Sequence, residues 1–133
     1  MKSSNALTEI EKNKIINKAI ELVNKNYNNF KRKVKSRDNK ISSSNLRNIL
    51  NSTTGLPLEF FVFCRYLAGK NYQTSVLVNF LKDLIETTNS LLNEIIPERD
   101  DEEYLEKKRD IIIYFIQNIV MSAKYCESFN KRL

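Results

Sequence analysis

A chain of 133 residues, 41% hydrophobic and 29% charged, is about one globular domain and too rich in apolar residues for a disordered segment. Two glycines and two prolines are too few for the many tight turns of strand-based folds, so the expected fold class is all-α, a compact bundle of about five helices in one domain, 1–133. The net charge of +6 conceals an asymmetry: residues 1–70 hold 14 Lys/Arg against 5 Asp/Glu, and the rest hold 8 against 11. Such a bipolar chain can meet a polyanion with one end and a basic partner with the other.

The first helix is expected over about 8–30. Thr8 and Glu11 have capping-box spacing, and Ile15, Ile16, Ala19, Ile20, Val23, Tyr27 and Phe30 recur every three or four residues. A basic run follows, with Lys31, Arg32, Lys33, Lys35, Arg37 and Lys40 inside ten residues. These cations repel one another, so the run reads as a frayed helix end or a mobile loop. Ser42, Ser43 and Ser44 offer an N-cap for a short helix from Asn45 to about Thr53, with Leu46, Ile49 and Leu50 inward and Arg47 on another side. Pro57 suits the first turn of a third helix, about 57–68, carrying Phe60, Phe61, Phe63, Cys64 and Leu67; Gly69 is expected to end it through a positive φ.

A fourth helix is expected from about Tyr72 to Ile95, weakened at Thr87-Thr88-Asn89-Ser90 by modest helix propensity. Pro97 opens the last, about 98–128, with Glu98, Asp100, Asp101, Glu102 and Glu103 at the positive end of its dipole. From Ile111 onward the apolar residues cover nearly the whole circumference. Such a helix is buried on several sides or also meets a partner.

The search for catalytic chemistry returns little. The chain has no histidine, the commonest general acid–base group and metal ligand, so neither a metal site nor a cofactor is expected. Two isolated glycines cannot form a phosphate loop. Cys64 and Cys126 sit in apolar stretches and read as small buried hydrophobes rather than a disulfide. The acids from Asp100 to Glu106 read as a helix start with Glu–Lys pairs on a solvated face. Lys2-Ser3-Ser4-Asn5 is not a signal core, and the run from Ile111 to Cys126 is too short and polar to span a membrane. The expectation is a cytoplasmic protein that is not an enzyme.

The basic run remains, just ahead of the Ser-rich start of the second helix. Cations, hydroxyls and a helix start together suit phosphate. No aromatic is interleaved with the run, which favours backbone contact over base stacking there.

Ile41-Ser42-Ser43-Ser44-Asn45-Leu46-Arg47-Asn48-Ile49-Leu50 resembles the Leu-Thr-Thr-Ser-x-Ile-Arg-x-Ile-Leu stretch of the small subunit of type III-A CRISPR effector complexes, the Csm small-subunit family. Two further segments fall in the same order. Arg65-Tyr66-Leu67-Ala68-Gly69-Lys70-Asn71 is similar to that family's Tyr-Glu-Ala-Gly-Arg stretch. Tyr114 to Tyr125 is similar to its Tyr-x-Glu-Ala-x-Val-Ala-Tyr-x-Lys-Tyr ending. The resemblance covers roughly 41–128, with departures: Leu67 and Gln117 stand for Glu, Lys70 for Arg and Ser122 for Tyr, and the stretch from Ser52 to Leu58 is shorter.

The resemblance implies a helical, non-catalytic subunit that stacks with copies of itself along larger backbone subunits and lines the channel holding the crRNA–target RNA duplex. By position, Arg47 and Lys70 would contact target RNA. The cations of the basic run would neutralise further phosphate, and Ser44 and Lys124 complete the candidate RNA-binding set. The alternatives are an intramolecular salt bridge for Arg47, stabilisation of a helix C-terminus for Lys70, and packing for Lys124 and Tyr125. Rival functions are the corresponding type III-B subunit, a DNA-binding regulator with Asn45 to Thr53 as recognition helix, and a helical interaction module using the Ile111–Cys126 face.

Overall fold

The computed structural model describes residues 6–31, 41, 43–52, 55–97 and 102–133. Among them the chain forms six helices and no strand: α1 (Glu9–Lys25), α2 (Tyr27–Phe30), α3 (Ser43–Asn51), α4 (Pro57–Lys70), α5 (Ser75–Ile95) and α6 (Glu102–Phe129). The all-α expectation holds.

The sixth helix arises because the first expected helix is broken at Asn26. The Thr8–Glu11 capping box forms as its spacing predicts. At the other end, the Asn26 side-chain amide donates to the Leu22 carbonyl at 2.9 Å. Its backbone N–H divides between Leu22 and Val23 at 3.2 and 3.1 Å. An asparagine that competes for helical carbonyls disfavours continuation, and α2 sets off in a new direction as one short turn.

One other expectation is corrected. Gly69 does not cap α4 through a positive φ, since neither glycine has one. It lies inside the helix, which runs on to Lys70 and is capped at Asn71, whose side chain bonds the Leu67 carbonyl at 2.9 Å. The Thr87–Ser90 stretch, of modest helix propensity, stays helical within a continuous α5. Thr88 is fully buried, and its hydroxyl donates to the Leu84 carbonyl at 2.6 Å, so its polar group is satisfied within α5.

α6 is the central helix, packing against all five others. That is the consequence of its all-round apolar surface: Ile111, Ile112, Phe115, Ile116, Ile119, Ala123 and Cys126 are all buried. Each large side chain so buried contributes about 1.5–3 kcal/mol. Phe30 of α2 meets Phe80 of α5 edge-on, with centroids 5.4 Å apart, and this contact fixes α2 against the bundle.

α6 ends at Asn130, whose φ of 51° is left-handed and whose N–H closes on the Cys126 carbonyl at 2.9 Å. The last residues fold back onto the joint between α1 and α2. Tyr27 donates its hydroxyl to the Asn130 carbonyl at 2.5 Å, and Asn24 exchanges two hydrogen bonds with Leu133 at 3.2 and 3.0 Å. No helix among the described residues is long and apolar enough to cross a membrane.

Candidate nucleic-acid interface

α2, α3 and the last turns of α6 enclose a small cleft of about 110 Å³. Its floor is apolar: Phe30, Ile41, Leu46, Val120 and Ala123. Its rim is charged: Arg47, Lys124 and Glu127. Arg47 reaches the rim because Leu46 and Ile49 anchor α3 in the core and leave position 47 in solvent. It makes no ion pair with any described residue, so a salt bridge does not explain its presence there. Lys124 pairs with Glu127 one turn on, at 3.5 Å. The Lys124 side chain is two-thirds exposed, and a pair of this kind holds its cation weakly.

A second cationic group adjoins the same helix. The Tyr27 ring on α2 has Arg132 over it at 4.5 Å and Lys31 at 5.9 Å. The returning C-terminal tail places Arg132 there. Such contacts stabilise cations on an aromatic face without neutralising them. Lys31, beside Phe30 of the cleft floor, thus joins the candidate set where the sequence placed it. Arg132 has no signal in the sequence, since it lies beyond the last helix in no periodic pattern, and only the tail's return places it beside Lys31.

The other candidates divide. Ser44 is exposed on the first turn of α3, three residues before Arg47 and so on a neighbouring face. Arg32, Lys33, Lys35, Arg37 and Lys40 lie outside the described residues, as does Ser42 of the expected N-cap. The residues flanking that segment are held together: the Ile41 N–H donates to the Asn29 carbonyl at 2.9 Å, beside the cleft. Lys70 is not brought to the cleft. It is exposed in the last turn of α4, where a cation favours the helix dipole.

The cations of α1 have a different fate. Lys14 pairs with Glu94 at 3.4 Å, Lys25 with Asp83 at 3.3 Å and Lys18 with Glu21 at 3.8 Å. Lys107 of α6 pairs with Glu11 at 2.9 Å, both side chains being more than four-fifths covered. Burial pushes the Glu11 carboxyl up, but hydrogen bonds from the Thr8 backbone and from Lys107 outweigh it and hold the group below the ordinary glutamate value.

Among the described residues no three of His, Cys, Asp and Glu come together to hold a metal ion. Both cysteines are buried and free. Burial pushes the Cys64 thiol up to about 12, and raises Cys126 as well, so neither is a thiolate at neutral pH. The cleft rim carries two cations and one carboxylate over an apolar floor, a net positive charge that would favour an anion.

The chain matches no family model, no curated protein and no solved structure.

Proposed function

We propose that this protein is a non-catalytic, RNA-binding small subunit of a type III-A CRISPR interference complex, cytoplasmic, and lining the channel of the crRNA–target RNA duplex through phosphate contacts. The observation that carries the reading is the convergence of Arg47 and Lys124 on one cleft, with Lys31 and Arg132 gathered on Tyr27 beside it. Arg47 and Lys124 come from two of the three segments that resemble the family, 77 positions apart in sequence. The cations from Arg32 to Lys40 belong to a segment whose flanking residues border the same cleft, and they would supply further phosphate contacts. Lys70, away from the cleft, would belong to a separate contact along a filament of subunits or serve only its helix.

The test is a mild affinity purification of the tagged protein from its host, with co-purifying proteins and RNA both read. The reading expects a multi-subunit particle carrying short RNAs with repeat-derived ends. A bare monomer or dimer without RNA would overturn it.

A further inference from the structure

The last turns of α6 leave Met121, Tyr125 and Phe129 exposed, at 60%, 39% and 64% of their surface. Their spacing of four places them on one face of the helix. The Tyr125 and Phe129 rings lie 5.1 Å apart and tilted by 38°, forming a short aromatic strip, and Met121 extends it with a polarisable thioether. Fully burying any one of these side chains would gain stability, and the bundle leaves all three outside. Lys124 is the hinge between this strip and the cleft. It lies three residues from Met121, hence beside it on the helix surface, and it shares the cleft rim with Arg47 and with Glu127, its exposed and so weakly held partner at 3.5 Å.

We infer that Met121, Tyr125 and Phe129 form a stacking platform for unpaired nucleobases, next to the phosphate contacts of Arg47 and Lys124. The inference rests on the RNA-binding reading and extends it from backbone to base. The occupant follows from what borders the strip. A purely apolar partner would have to desolvate or bypass Lys124, whereas a nucleotide presents a flat π-face to the rings and a phosphate to the cation. The basic run of residues 31–40 contains no aromatic in sequence. Stacking accepts any base, so the platform favours unpaired nucleotides over a continuous duplex without reading sequence.

The test compares a single-stranded RNA with an abasic strand of the same length and charge, by fluorescence anisotropy of the full chain over a range of salt. The wild type is expected to bind the base-bearing strand more tightly, on the order of five- to a hundredfold for each stacked base. This ratio should be independent of salt, because stacking releases no counterions. Tyr125→Ala with Phe129→Ala should bring the ratio to one and leave the salt slope unchanged. Phe129→Trp gives the chain its single tryptophan, whose emission should be quenched by the base-bearing strand and not by the abasic one.

Equal binding of the two strands by the wild type, or a ratio that survives the double substitution, would overturn the platform. The strip would then be a surface for another protein. Arg47→Ala with Lys124→Ala reports separately on the phosphate contacts. If it weakens both strands while the double aromatic variant changes nothing, only the platform fails. If the wild type binds neither strand, both readings fail.

Discussion

Positive charge is paired with acids more along α1 than around α2, α3 and the end of α6. On α1, Lys14 pairs with Glu94, Lys18 with Glu21 and Lys25 with Asp83, Lys12 lies over the Tyr114 ring at 5.8 Å, and Glu11 takes the incoming Lys107. Around α2, α3 and the end of α6, Arg47 makes no ion pair with a described residue, Lys124 pairs with the rim acid Glu127, and Lys31 and Arg132 rest on a tyrosine ring. The excess of cations in the first half of the sequence is therefore a poor guide to where a polyanion would sit. Acids of α5 consume part of it in holding helices together. At the other end Arg47 has no ion-pair partner among the described residues, and Lys124, Lys31 and Arg132 have only exposed or ring contacts.

The largest expected effect comes from removing what joins the two ends. Phe30→Ala deletes the edge-on contact with Phe80 and the cleft floor at once. It should cost about 3–5 kcal/mol, measured by thermal or urea unfolding. A cost under about 1 kcal/mol would mean that α2 is not docked as described.

At the paired end, Lys107→Ala should cost about 1–2 kcal/mol, between the values for exposed and buried ion pairs. Its sign with pH follows from Glu11. A carboxyl held below its unfolded value contributes stability that is full above the unfolded pKa and is lost as pH falls through the folded one. The stability gap between wild type and Lys107→Ala should accordingly be widest at neutral pH and close on acidification below about pH 4. A gap that widens in acid would show that the pair is not what stabilises this end.

The comparison itself is tested by RNA affinity. Arg47→Ala and Lys124→Ala should each reduce it severalfold and lower the slope of log affinity against log salt by about 0.7 per lost contact. Lys14→Ala, which removes the same charge from a paired site away from the cleft, should leave both quantities nearly unchanged. Equal effects at the two ends would mean that net charge, not the cleft, governs binding.

The smallest effect concerns Gly69. A Cβ there would meet nothing within 4 Å, and the backbone is helical without positive φ. Gly69→Ala should stabilise the chain by about 0.5–1 kcal/mol, seen as a raised Tm. If it stabilises the protein and weakens assembly or RNA binding, α4 has its own close contact near Lys70. If binding is unchanged, Lys70 serves its helix alone.

The helices were legible in the sequence wherever a periodic apolar stripe met a local signal: Thr8 and Glu11 at the start of α1, Pro57 at the start of α4, and the all-round apolar run that makes α6 central. Local signals misled where a residue had two uses. Asn26 fits a helical pattern until its amide competes for a carbonyl, and Thr88 looks like a weak spot until burial satisfies its hydroxyl inside α5. Gly69 looks like a cap, yet its neighbour Asn71 can bond the same end of the helix.

Side-chain chemistry repeated along a chain thus determined the fold class, the burial of Cys64 and Cys126, and the exposure of Arg47, because burial of an apolar stripe fixes which way each neighbouring position points. The tertiary structure alone decided which charges cancel. Coulomb interactions depend on distance in space, and Lys107 finds Glu11, Arg132 finds Tyr27, and Lys124 finds the cleft rim it shares with Arg47 only after α6 has threaded the middle of the bundle.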